Sequence, residues 1–353
     1  MDHAKRPLVI PVFIPHSGCP HQCAFCNQSI ITSQKSRLPD KEDIRKIAAQ
    51  YYQYKGKRKK VVLAFFGGNF LGLGPEDITR LLEFIQPLIK AGKIDSIRFS
   101  TRPDTISQKT LDLVAPYNIS AVELGVQSMN DEVLLKSKRG HTAMDAINAM
   151  QLLKKYPFKI GVQVMAGLPG DNDSSLFEST KKIAKLGPDF ARIYPLMVLK
   201  GSLMEKWYKT KKYKPLGLEE TIRLVKGMYQ IFKAGDVDVI RMGLQASPMM
   251  EDKSMVLAGP WHPAFGHLVF SEILYDDVCT RIDQYHGILK SEGIVLNVHP
   301  NSESRLRGDK NINLKKLNQK YKGLEFSICR DDTIPLNEVD ICELDRKTKG
   351  KWL

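Results

Sequence analysis

Residues 18–26 read GCPHQCAFC and place three of the chain's six cysteines, Cys19, Cys23 and Cys26, at the spacing C-x3-C-x2-C. Thiols bunched this closely in a chain with no disulfide framework point to metal. A structural zinc site takes four ligands, commonly from two separated C-x2-C pairs, and this chain offers no second pair. A cubane 4Fe-4S cluster normally takes four cysteines as well. With three, one iron keeps an open coordination position for a small molecule. The competing readings are a chance cluster of buried cysteines and a zinc site that borrows His16 or His21. Cys279, Cys329 and Cys342 are scattered and read as packing residues or inert thiols.

The cysteines follow a first apolar run, PLVIPVFIP, in a chain where apolar and amphipathic segments alternate. VVLAFFGG (61–68) reads as a buried strand ending in glycines, and PEDITRLLEFIQPLIKAG (75–92) as a helix with acidic residues in its first turn. SIRFSTRP (96–103), AVELGVQS (121–128), FKIGVQVMAGLPG (158–170, with a turn) and FARIYPLMVL (190–199) read as strands. Between them SQKTLDLVAPYN (107–118), HTAMDAINAMQLLKKY (141–156) and SSLFESTKKIAKLG (174–187) have helical spacing. At least six strands alternating with helices between 7 and 235 predict an α/β fold, a partial or full parallel (β/α) barrel. In such a barrel, chemistry collects at the C-terminal strand ends. The cysteines follow the first strand, Gly67 and Gly68 the second, and Gln127 and Ser128 the fourth. The texture changes near 245, so residues 1–245 are expected to form the barrel. Residues 246–353 are expected to form a small α/β appendage, with two strands around a basic helix or loop.

The cysteine spacing, with aromatic Phe25 just before the last cysteine, resembles the defining motif of the radical SAM superfamily. FFGGN (65–69), STRPD (100–104), VELGVQS (122–128), KRGHT (138–142), MAGLPG (165–170) and RIYPLMVLKGS (192–202) occur in an order that resembles the radical SAM core of the Elongator catalytic subunit. That family modifies wobble uridines of tRNA through acetyl-CoA. The GVQ and GLP stretches are similar, more loosely, to anaerobic coproporphyrinogen oxidases. The resemblance implies a 4Fe-4S cluster on Cys19, Cys23 and Cys26 whose open iron is chelated by S-adenosylmethionine. It implies Phe25 near the adenine, Gly67 and Gly68 at the methionine amino group, and Gln127 at the ribose. Arg139 is implied to lie toward the methionine carboxylate, an anion that a guanidinium suits. Three positions depart from the pattern. Asn69 and Ser100 stand where relatives carry acids, and Gln163 stands where porphyrinogen relatives have a ribose-binding acid; all three remain in the expected cofactor set. No catalytic residue is identified. About 110 residues follow the core, short of an acetyltransferase domain, so the Elongator activity does not transfer as a whole.

A formal net charge of +14 favours a polyanionic partner. KGKRKK (55–60) and KWYKTKKYK (206–214) are the basic stretches, and the second interleaves Trp207, Tyr208 and Tyr213 with lysines, as base-stacking surfaces do. The competing reading is a solvated face. GPWHPAFGH (259–267) either brings Trp261, His262 and His267 over the barrel mouth or is an ordinary proline-rich turn. No apolar run approaches the roughly 20 residues that span a bilayer. The N-terminus lacks a cleavage signal, so a cytoplasmic protein without a membrane partner is expected. The expected function is reductive cleavage of S-adenosylmethionine to a 5'-deoxyadenosyl radical, fed by a flavodoxin- or ferredoxin-type donor, with RNA, tRNA foremost, as substrate. The alternatives are a small molecule such as a tetrapyrrole or metabolite, and an iron-sulfur carrier without radical turnover. The bond attacked and the oligomeric state are not readable from the sequence.

Overall fold

The computed structural model describes residues 7–28, 37–244, 254–285 and 293–343. The chain divides into two compact units, one running to Pro263 and one from Ala264. The stretch 245–253, where the texture of the sequence changes, and the tail KTKGKWL lie outside the described residues.

The alternation along the first unit produces β1 (Leu8–Phe13), α1 (Lys41–Tyr52), β2 (Val61–Phe66), α2 (Pro75–Lys90), β3 (Ser96–Thr101) and α3 (Gln108–Val114). It continues with β4 (Ile119–Gln127), α4 (Asp131–Lys136), α5 (Ala143–Leu153), β5 (Lys159–Ala166), α6 (Asp173–Lys185), β6 (Phe190–Pro195) and β7 (Val198–Leu199). The unit closes with α7 (Leu203–Lys209), α8 (Leu218–Ala234), β8 (Asp238–Met242) and β9 (Val256–Ala258). Helices α1, α3, α5 and α6 start at the capping boxes of Asp40, Ser107, Thr142 and Asn172, which satisfy their first N–H groups. The run 190–199, expected as one strand, is two. It breaks after Pro195, where a residue without an N–H precedes the short β7, and β7 pairs antiparallel with β9.

Seven strands pair in parallel in the order β1-β2-β3-β4-β5-β6-β8. Strand β2 is buried through its first five residues, as a parallel strand covered on both faces must be. The sheet is curled. The Arg192 guanidinium of β6 lies 5.7 Å from the centroid of the Phe66 ring of β2, and Arg98 of β3 lies 5.3 Å from the same ring. In a flat sheet β2 and β6, four places apart, would be about 19 Å from each other at ~4.8 Å per strand. Only curvature brings their inward side chains together, so the expected parallel α/β barrel is a half-barrel, with β1 and β8 at its two edges. Side chains alternate accordingly. On β3, Ile97 and Phe99 are fully buried on the helix side, while Arg98 and Ser100 line the lumen. Phe65 and Phe99 sandwich Phe70 at ring distances of 4.8 and 4.6 Å, locking the turn after β2 to β3.

The second unit contains α9 (Phe265–Tyr285), β10 (Gly293–Val298), α10 (Glu303–Arg307), α11 (Ile312–Lys320), β11 (Glu325–Arg330) and β12 (Val339–Glu343). Its sheet runs β11-β10-β12, parallel and then antiparallel. The two strands flanking a basic helix are present, and β12 adds a third. Leu274, Val278, Ile282, Ile294, Leu296 and Leu317 form its core, in which Cys279 is buried; Cys342 is exposed. No described helix is long and apolar enough to cross a membrane.

Phe70 is fully buried between two rings, so Phe70→Ala should lower the unfolding free energy by about 3–5 kcal/mol. Urea denaturation of the purified chain measures this, and a loss under 1 kcal/mol would mean that the stack does not hold the turn.

Candidate metal centre and cofactor cradle

The loop carrying the three cysteines is fastened on both sides of the barrel mouth. On one side His16 N donates to Gly67 O at 2.9 Å and Asn69 N to Ser17 O at 2.9 Å. On the other, Ala24 N donates to Ser137 O at 3.0 Å, Met204 N donates to Ala24 O at 3.0 Å, and Asn27 Nδ2 donates to Lys200 O at 2.8 Å. The loop therefore spans from the end of β2 to the start of α7. The glycine pair makes this possible. Gly67 has φ 85°, and a Cβ on Gly68 would lie 2.3 Å from Ile14 O and 2.7 Å from Ser17 O, so no other residue fits there.

Asn69 is the tie between these parts. Fully buried, its Oδ1 accepts from Thr101 Oγ1 at 2.7 Å, Arg102 N at 2.9 Å and Thr105 Oγ1 at 2.9 Å, while its Nδ2 donates to Gly18 O at 2.8 Å. The Arg102 amide can only donate and the Gly18 carbonyl can only accept, which fixes the orientation of the amide. Asn69 thus joins the cysteine loop to the end of β3 and has its polar atoms committed within the protein.

Cys23 is buried, Cys26 half-buried and Cys19 exposed. Two buried guanidiniums meet Cys23: Arg139 Nη1 donates to its Sγ at 3.0 Å and Arg102 Nη1 lies at 3.9 Å. Arg102 is clamped by both oxygens of Asp104 at 2.9 Å and donates to Arg139 O. Partial desolvation pushes the thiol of surface-exposed Cys19 up, burial pushes Cys26 up to about 12, and in each case neighbouring Cys23 adds to the rise. Thiols held protonated in this way become thiolates when metal charge is supplied, and the guanidinium pair adds to that charge. The set fits an iron-sulfur cluster with three protein ligands. Among the described residues no three such side chains form a single-ion site. Ligands of one tetrahedral ion would sit at ~3.8 Å from each other for ~2.3 Å bonds, whereas a cubane spreads its ligands over separate irons. Of the two histidines a zinc site would borrow, His16 has its Nε2 engaged by the Gln28 N–H at 3.0 Å, and the His21 ring lies against Gly140.

The other expected cofactor residues line the same mouth and lumen. Gln127 ends β4 at φ 68°, after a register irregularity, with its Oε1 buried and without a partner among the described residues. A left-handed non-glycine residue costs about 1–2 kcal/mol, and an unpaired buried oxygen adds to that. Arg139 also donates to Gly125 O and keeps a buried Nε without a partner among the described residues. Gln163 Nε2 donates to Ser100 Oγ and to Glu123 Oε2, both at 3.1 Å. Phe25 is half-buried against the apolar cluster that includes Ala24, Met165 and Leu168. His141 is pushed down to about 4 by burial and by Arg139, so it stays neutral beside the guanidiniums.

Sequence reasoning passed over Arg102, and with it Glu123, Arg98, Arg192 and Arg241. The readable signal was an arginine or glutamate at an inward position of a strand buried on both sides. The aromatic reading of 206–214 changes. Trp207 and Tyr213 pack on the Met165–Leu196 cluster, Tyr213 donates to Gly167 O at 2.6 Å, and only Tyr208 is exposed. KGKRKK lies in the connection from α1 to β2, at the N-terminal ends of the parallel strands and so opposite the cysteines. Trp261 packs beside Met197, Leu199 and Val256, and His267 reaches Ser304 Oγ at 3.3 Å within the second unit.

A parallel half-barrel with a three-cysteine loop after its first strand is the architecture of a radical SAM protein. The model described as the Radical SAM superfamily matches residues 13–183, and that of the Radical_SAM C-terminal domain matches residues 188–274. The chain is 30% identical over 220 residues to the uncharacterized protein MJ0486 of Methanocaldococcus jannaschii, covering 59% of this chain and 67% of that one. It is 27% identical over 233 residues to the tRNA uridine(34) acetyltransferase of Dehalococcoides mccartyi, covering 56% of this chain and 50% of the relative. The solved structure of the archaeal Methanocaldococcus infernus Elp3 with an N-terminal deletion superposes with a TM-score of 0.60 at 25% identity. It covers 76% of this chain and 63% of that one. The chain thus spans about half the length of the D. mccartyi acetyltransferase and just under two thirds of the Elp3 chain. It belongs to the radical SAM superfamily of enzymes, and within it is similar to Elp3.

Asn69→Asp would set a carboxylate oxygen against the Gly18 carbonyl. It should lower stability by about 3 kcal/mol, since a buried acceptor would lose its partner and gain charge. Urea unfolding at pH 7 measures the change, and a variant within 0.5 kcal/mol of wild type by the same measure would show that the amide is not the tie.

Proposed function

We propose that this protein uses a 4Fe-4S cluster on Cys19, Cys23 and Cys26 to cleave S-adenosylmethionine reductively, and that it modifies RNA, tRNA foremost. The observation that carries the reading is the cysteine loop seated on two buried guanidiniums at the mouth of a polar lumen. When bound, the cluster supplies one electron to the sulfonium, giving methionine and a 5'-deoxyadenosyl radical that takes hydrogen from the substrate. The chain's own residues position the parts. Arg102, held by Asp104, fixes Cys23, and Arg139, with its free Nε, receives the methionine carboxylate. The unpaired Oε1 of Gln127 takes a ribose hydroxyl, with Ser100 and Gln163 alongside. Gly67 and Gly68 bring backbone to the methionine amino group, Phe25 lies by the adenine, and Asn69 holds the loop in register. A flavodoxin- or ferredoxin-type donor feeds the electron.

RNA is supported by the D. mccartyi relative's tRNA substrate and by exposed Lys206, Lys211, Lys212 and Lys214, which follow the barrel's C-terminal ends beside the mouth. The engagement of Trp207 and Tyr213 in packing favours the second reading, a small-molecule substrate, because it removes two of three stacking platforms.

Reconstituted, dithionite-reduced protein should release 5'-deoxyadenosine and methionine from S-adenosylmethionine, and Cys23→Ala should release none. A spectroscopically intact cluster that yields no 5'-deoxyadenosine sinks the proposal. For RNA, the triple change Lys211→Ala, Lys212→Ala, Lys214→Ala should weaken tRNA binding and flatten the log affinity against log salt slope by about 2, at ~0.7–0.9 per phosphate contact. Replacing Lys57, Lys59 and Lys60, at the other end of the strands, should leave the slope unchanged. If both triples act alike, or tRNA does not bind at low salt, the small-molecule reading takes its place.

A further inference from the structure

The lumen beneath the cofactor cradle carries charge that nothing described balances. Arg98 of β3, Arg192 of β6 and Arg241 of β8 face inward, and Arg192 and Arg241 are register partners on adjacent strands. The one carboxylate facing them among the described residues is Glu123 of β4, which is fully buried. Glu123 is shared: its Oε2 lies 2.9 Å from Arg192 Nε, its Oε1 lies 3.5 Å from Arg98 Nε, and it also accepts from Gln163. The Phe66 ring supports Arg98 and Arg192, but Arg241 makes no side-chain hydrogen bond or ion pair with the described residues. Burial holds Arg98 and Arg241 below the usual arginine range, whereas Arg192, against its own burial, is raised by the Tyr194 hydroxyl of the same strand and by Glu123. Three guanidiniums, Arg192 buried and Arg98 and Arg241 half-buried, face one carboxylate among the described residues, an excess of two positive charges in a partly desolvated lumen. Such an excess is costly unless an anion completes it. Guanidiniums also suit bidentate capture of planar or tetrahedral oxyanions better than ammonium groups do.

We propose that the barrel interior binds a compact oxyanion, the carboxylate or phosphate of the molecule on which the enzyme acts, held by Arg98, Arg192 and Arg241. This is distinct from the anion expected at Arg139. Arg98 precedes Arg102, which touches Cys23, by four residues of extended chain, about 13 Å at ~3.3 Å per residue. Glu123 and Gln163 keep Arg192 and Arg98 aimed inward, and Arg241 offers the free donors. The inference goes beyond the radical reading by naming the substrate's anchoring group, and it is read by binding rather than by turnover.

The test is thermal unfolding of the full chain at constant ionic strength set with chloride, titrated with inorganic phosphate, succinate, uridine 5'-monophosphate or uridine. At least one of the three anions should raise the Tm saturably by about 10 mM, tenfold above a ~1 mM dissociation constant, while uridine and chloride do not. A response to phosphate or the nucleotide assigns a phosphate, and a response to succinate alone assigns a carboxylate. Arg241→Gln and Arg98→Gln should each weaken that response at least tenfold, and Lys59→Gln should not. Arg241→Gln should also raise the Tm of the ligand-free chain, because it removes a half-buried cation that repels Arg192; a variant that fails to fold leaves the wild-type titration as the deciding measurement. No saturable shift with any anion, or an unchanged response in both arginine variants, overturns the proposal. 5'-Deoxyadenosine formation by the same protein would then still stand, so the two readings fail separately.

Discussion

The side-chain amide of Asn69 is the contact on which the arrangement of the mouth depends. Its nitrogen donates to the Gly18 carbonyl in the cysteine loop, and its oxygen gathers the hydroxyls of Thr101 and Thr105 with the backbone N–H of Arg102. Through that N–H it sets where β3 ends, and so where the Arg102 guanidinium begins its reach to Asp104, to Arg139 O and to Cys23. An acid at this position has no donor for Gly18. An asparagine with its donor and acceptor on opposite sides satisfies both neighbours inside a fully buried space.

Free energy is spent around this tie at defined places. Gln127 is left-handed with an orphan oxygen, Arg139 keeps an unpaired Nε, and the lumen holds more positive than negative charge. The apolar layer behind the sheet offsets these costs. Phe65, Phe70 and Phe99 stack there without exposure, and on the lumen side Gly161 lets the Phe190 ring close in. Local rules are broken where a fold serves function, and in the first unit the broken ones gather at the mouth and in the lumen.

Much of this was legible in the residues. The barrel followed from alternation, and the position of the cysteines, of Gly67 and Gly68 and of Gln127 at strand ends followed from the order of motifs. Asn69 was legible as a site residue but not as a tie, because its partners lie 32, 33, 36 and 51 positions away in sequence. The aromatic run at 206–214 misled because spacing within a short helix does not say which face meets the core; Trp207 and Tyr213 met it.

What the sequence by itself determined is local chemistry and periodicity: three thiols at C-x3-C-x2-C, glycines where backbones must touch, and strands and helices in alternation. Only the tertiary structure decided which charges meet. Arg98, Glu123, Arg192 and Arg241 sit on four strands spread over more than 140 residues, and no pattern within any one strand links them. The curl of the sheet turns their common inward face into one lumen, so the excess charge is a property of curvature and not of any segment.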